Sequence, residues 1–86
     1  MKLNPKYILR EVAGETLLVS LADATAPKRL LCLNVLGKDI YSLLQKGLSE
    51  EEIFAALLEE YDVEPQVLQA DLSEFLSTLK SYGVIE

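Results

Sequence analysis

Residues Lys28–Gly37 read KRLLCLNVLG, and the order of the fold turns on this stretch. Lys28–Leu33 has the composition of a strand, Asn34 of a helix cap, and Val35 opens a helix. Successive side chains of a strand point to opposite faces, so Leu31 and Leu33 share one face and Leu30 and Cys32 the other. Both faces are apolar. One pair can meet a core. The other needs a second cover, supplied either by the chain's own helix or by a partner.

Upstream of the joint the chain alternates like strands. Tyr7–Val12 (YILREV) and Thr16–Leu21 (TLLVSL) flank Ala13-Gly14-Glu15 and read as an antiparallel hairpin. Pro5 argues against strand in the lead-in, and Ala22–Pro27 is a small-residue loop. Downstream the pattern is helical. Leu36, Ile40, Leu43 and Leu44 fall at i, i+4, i+7 and i+8, one apolar stripe, and Gly47 suits the left-handed cap that ends it. Gly37 leaves room for another backbone to approach the first turn. Ser49-Glu50-Glu51-Glu52 forms a capping box, followed by a stripe of Ile53, Leu57, Leu58 and Tyr61 with Phe54 on its margin. Pro65 opens a third helix, whose stripe is Leu68, Leu72, Phe75, Leu76 and Leu79. Gly83 stops it, and Val84-Ile85 folds back. The order is therefore a three-stranded antiparallel sheet followed by three helices, an α+β arrangement with a winged-helix-like pairing of the first two helices.

The 86 residues make one small domain spanning 1–86, with little room for an enclosed active site. No apolar run is long enough to span a membrane, and no signal peptide is expected at the N-terminus. The single cysteine, Cys32, cannot form an internal disulfide. It fits a reducing, cytoplasmic setting, and its simplest role is as a small buried apolar side chain. Charge is uneven: residues 1–47 hold seven basic and four acidic groups, and residues 48–86 hold one basic and ten acidic. The acidic half repels phosphate and could attract a basic peptide. With no histidine and one cysteine the usual zinc sets are excluded, and no phosphate loop or nucleophile elbow is present. Neither a catalytic constellation nor a cofactor site is expected.

The segment from Leu33 onward resembles the PqqD family of small peptide-binding proteins, the precursor-peptide recognition elements of ribosomally made, modified peptides. The resemblance is carried by Leu33-Asn34 with Gly37 and Ile40, by the helix ending at Gly47, and by Ser49-Glu50-Glu51-Glu52-Ile53. It continues through Glu60-Tyr61-Asp62-Val63, Ala70-Asp71-Leu72, Phe75-Leu76, Leu79 and Gly83-Val84-Ile85. It implies a winged-helix-like fold that binds the leader segment of a precursor peptide. The leader would add as a strand to the third strand beside the third helix. It would then be presented to a modifying enzyme, such as a radical S-adenosylmethionine enzyme, a leader protease or a cyclase.

On that reading the binding residues are Lys28, Arg29, Leu30, Leu31, Cys32 and Leu33 on the strand, with Val67, Ala70, Asp71 and Glu74 on the last helix. An edge strand leaves N–H and C=O groups open to pairing, and pockets for alternate side chains give specificity. Asp71 and Glu74 suit a basic leader residue, and Lys28 or Arg29 an acidic one. Asp71 could instead pair with Arg29, and Leu30 and Cys32 could pack under the last helix. A winged-helix nucleic-acid-binding or regulatory module is the alternative. It would read the major groove with the second helix, yet Glu50–Glu64 carries no Lys or Arg. A homodimer made through the same strand is compatible with peptide capture and would compete with it.

Overall fold

The computed structural model describes residues 2–20 and 30–85. Strands β1 (Tyr7–Val12), β2 (Glu15–Ser20) and β3 (Leu30–Leu33) precede helices α1 (Val35–Gln45), α2 (Glu50–Glu60) and α3 (Pro65–Ser81). The sheet is antiparallel in the order β1-β2-β3. The hairpin turn is tighter than the sequence suggested: Val12 pairs with Glu15, so only Ala13 and Gly14 form it. Both have positive φ, 53° and 82°, which matches the strand twist of a two-residue hairpin. Leu21, Lys28 and Arg29, which the sequence pattern places in β2 and β3, lie outside the described residues.

Register decides which side of the sheet meets the helices. Leu9, Leu18 and Leu31 lie in one cross-strand row, and Glu11, Thr16 and Leu33 in the next. Leu18 and Leu33 are buried and Leu31 packs against the core, so this is the inner face. The opposite face carries half-buried Ile8, Leu17 and Val19 beside exposed Arg10, Val12 and Cys32. The burial anticipated for Cys32 is thus corrected. Its register with Leu17 turns the thiol away from the helices, and it is exposed.

The helices begin and end where short-range chemistry dictates. Asn34 caps α1 by accepting the Gly37 N–H at 2.7 Å. In α2 the Ser49 hydroxyl accepts the Glu52 N–H at 3.2 Å, and the Glu52 carboxylate accepts the Ser49 N–H at 3.0 Å. Helices α1 and α3 close with the same double bond pattern around a glycine. Gly47 and Leu48 donate to Leu44 and Leu43, and Gly83 and Val84 donate to Lys80 and Leu79. Beyond α3 the tail is stapled to the N-terminal segment. Asn4 donates to the Val84 carbonyl at 2.8 Å, Leu3 bridges Ile85, and the Tyr7 hydroxyl donates to the Tyr82 carbonyl at 2.5 Å. Among the described residues no helix is long and apolar enough to cross a membrane.

The core is filled by Leu18, Ile40, Ile53, Leu57, Leu68, Leu72, Leu79 and Val84, all fully buried. Two parts of the anticipated stripes move. Tyr41 joins the core from α1, and burial raises its hydroxyl pKa. Leu58 is 36% exposed and leaves the α2 stripe, whose buried part is Ile53 and Leu57, with Phe54 and Tyr61 packed against the core beside them. The Tyr61 phenol, at the end of α2, donates to the Asp39 carboxylate on α1. That bond chiefly pushes the phenol pKa up to about 12.

The α2 cap also has a pH signature. Glu52 titrates below the ordinary carboxylate range because the Ser49 backbone N–H, and then its hydroxyl, favour the charged form. A depressed folded-state pKa adds stability above the unfolded pKa, and that stability disappears as pH falls through the folded value. Glu52→Gln should therefore flatten the acid limb of a melting-temperature profile taken between about pH 3 and 6. Ser49→Ala should cost about 1 kcal/mol at neutral pH in denaturant unfolding.

Candidate peptide-binding site

Strand β3 is one of the two edges of the sheet: β2 pairs with one side of it, and among the described residues no strand pairs with the other. Its N–H and C=O groups on that side are therefore available to an added strand. The strand passes through Asn34 directly into α1. At this junction a hollow of about 300 Å3 opens between α1 and α3. Asn34, Leu36, Gly37 and Ile40 form one wall, and Asp71, Glu74, Phe75 and Thr78 the other.

Gly37 and Phe75 set the shape of this hollow. A Cβ built on Gly37 would lie 3.0 Å from the ring of Phe75 and 3.2 Å from the capping oxygen of Asn34. The close approach anticipated at Gly37 is thus real, but an aromatic side chain makes it rather than a backbone. An alanine in a helix is ordinarily worth up to about 1 kcal/mol over glycine. Here the added methyl must push the ring outward, and overpacking costs on the order of 1–3 kcal/mol. Gly37→Ala should therefore lower stability by about 1 kcal/mol in chemical denaturation, and a stabilised variant would contradict this packing.

The residues singled out from sequence are distributed as follows. Lys28 and Arg29 lie outside the described residues, and with them the alternative pairing of Arg29 with Asp71. Leu30 belongs to β3 and pairs with Val19. Leu31 and Leu33 face the core, and Cys32 is exposed on the other side. On α3, Val67, Ala70, Asp71 and Glu74 are all exposed. Asp71 and Glu74 enter the hollow, whereas Val67 and Ala70 are not among its lining residues. The other six lining residues, Asn34, Leu36, Gly37, Ile40, Phe75 and Thr78, are not ones the sequence pattern marks as binding residues. Their spacing along α1 and α3 was visible, but the contact between the two helices was not.

A second hollow, of about 580 Å3, sits beside the hairpin turn and includes Cys32 and the 73%-exposed Val35. It also holds the ion pair between Lys38 and Glu11, whose N···O distance is 2.6 Å. Their mutual hydrogen bond and charge lower the Glu11 pKa and raise that of Lys38. Among the described residues no group of His, Cys, Asp and Glu is placed to hold a metal ion.

The model of the family described as coenzyme PQQ synthesis protein D (PqqD) matches residues 15–85, which include β2, β3 and all three helices. The chain belongs to the PqqD family. No curated protein matches this PqqD-family chain. Among solved structures it is similar to TbiB1 in complex with the TbiA(beta) leader peptide, at 30% identity and a TM-score of 0.82. That match covers 100% of this chain and 95% of TbiB1. It also shares its fold with lasso peptide synthetase B1 complexed with the leader peptide. There the identity is 21% and the TM-score 0.80, with 99% of this chain and 95% of that one covered.

Proposed function

We propose that this PqqD-family protein is a non-catalytic recognition element. It captures the leader segment of a ribosomally made precursor peptide by strand addition to β3 and presents it to a modifying enzyme. The observation that carries this reading is the open edge of β3, which Asn34 joins to α1 and so to one wall of the hollow between α1 and α3. Main-chain hydrogen bonds along the edge would each contribute a net ~0.5–1.5 kcal/mol, and side chains entering the hollow would supply specificity. TbiB1, which is complexed with a leader peptide and is 30% identical over the whole chain, supports the same assignment. The enzyme served is of the class that modifies such precursors: a radical S-adenosylmethionine enzyme, a leader protease or a cyclase.

The experiment is a nitrogen-15 titration of the protein with the leader segment encoded beside its gene. Amide signals of residues 29–33 and 67–74 should shift together, with the largest changes along β3. Shifts confined to 50–61 would place the guest on α2 and refute strand addition.

A further inference from the structure

We infer that the hollow between α1 and α3 is a specificity pocket for one basic side chain, lysine or arginine, of the captured peptide. The inference rests on the capture reading above and names the chemistry of the residue that enters. The floor is apolar: Ile40 is fully buried beneath it, with Leu36 and the Phe75 ring alongside. The rim is acidic. Asp71 and Glu74 stand at i and i+3 on α3, neighbours on one helix face, and both line the opening. Among the described residues neither has a basic partner, and the only ion pair joins Lys38 to Glu11 across the second hollow. The Thr78 hydroxyl donates to the Glu74 backbone carbonyl at 3.1 Å and so does not serve the carboxylates.

This combination selects among side chains. About 300 Å3 is at the low end of ligand pockets, enough for one long side chain and not for a folded ligand. Lysine and arginine lay an aliphatic stem along apolar surface while keeping the charged head at a polar rim. The head would meet two carboxylates that otherwise repel each other, and the Phe75 ring adds attraction for a cation. An acidic guest residue is repelled by the same rim. An apolar one fills the floor but leaves the two charges facing each other.

The test is selection of random peptides, displayed on phage, against the whole protein and against Asp71→Asn/Glu74→Gln. Both side chains are exposed, so the variant should keep its fold, which circular dichroism checks. Peptides enriched on the wild type should share a Lys or Arg at one fixed position within an extended core. The double variant should lose that preference while keeping the core, and a synthetic winner should bind it about tenfold more weakly. Glu50→Gln/Glu51→Gln, which removes equal charge from α2, should retain the preference. An apolar or aromatic consensus at that position would overturn the pocket assignment and leave capture standing. So would a basic preference that survives in the Asp71/Glu74 variant or vanishes in the α2 variant. Absence of any enriched peptide on the wild type would overturn capture itself, and the pocket with it.

Discussion

Leu57→Ala should destabilise the protein by about 3 kcal/mol, while its neighbour Leu58→Ala should cost less than about 1 kcal/mol. Both leucines fit a helical stripe when α2 is read alone. In the folded chain Leu57 is fully buried and Leu58 is 36% exposed. Truncating Leu57 removes its transfer free energy and leaves a cavity between α2 and the rest of the core. Leu58 keeps about a third of its surface in water, so truncating it removes less buried apolar area and opens no enclosed cavity. For a domain of this size, total stability is of order 0.05–0.15 kcal/mol per residue, so the Leu57 loss is a large fraction of it. In thermal scans it should appear as a drop of roughly 12–24 °C, against a few degrees for Leu58→Ala. Equal losses would mean that α2 is rotated about its axis by one residue, with the wider stripe of Leu57, Leu58 and Tyr61 facing inward.

That pair also marks where sequence stops being informative. The helix ends were legible because their causes are local. Asn34 reaches three residues ahead to Gly37, Ser49 and Glu52 bond reciprocally, and Gly47 and Gly83 release the chain through a left-handed residue. The edge position of β3 followed from hairpin order and from the switch to helix at Asn34. The width of each buried stripe did not follow, because it depends on how many neighbours a helix has and at what angle. On pattern alone Leu58 belongs with the stripe and Tyr41 does not, whereas in the fold Tyr41 is buried and Leu58 is exposed. Alternation sets Cys32 opposite Leu31 and Leu33, but which face the helices cover is a choice that alternation alone leaves open, and they leave Cys32 exposed. The hollow was the least legible feature. It arises because Phe75 lies against a residue with no side chain, a contact between residues far apart in the chain. Asp71 and Glu74 stand off the buried stripe of α3 in the sequence pattern, and in the fold they line the hollow. Their counterpart wall on α1 looked like ordinary helix opening.

The second large effect concerns β3 itself. In an antiparallel ladder the backbone groups of consecutive residues point alternately toward one neighbour and the other. Of the adjacent residues Leu31 and Cys32, one therefore offers its N–H to β2 and the other to the open edge. Proline removes that N–H and crowds its surroundings. Leu31→Pro and Cys32→Pro should consequently have unlike outcomes. The substitution on the β2 side should dissolve the pairing of Leu17 and Leu18 with Cys32 and Leu31, and collapse the sheet's far-ultraviolet signature. The substitution on the open side should leave the fold in place. It should weaken capture of the leader encoded beside the gene by about tenfold or more, through one lost main-chain bond and the steric bulk of the ring. Calorimetric titration measures the second effect and circular dichroism the first. Should both variants unfold, the same parity can be read from the guest. Methylating successive backbone nitrogens of the leader should abolish binding at every other position, because only alternate residues donate to the edge. Binding that tolerates methylation at all positions, or a well-folded open-side proline variant that binds like the wild type, would mean that the leader sits on the surface by side-chain contacts and does not extend the sheet.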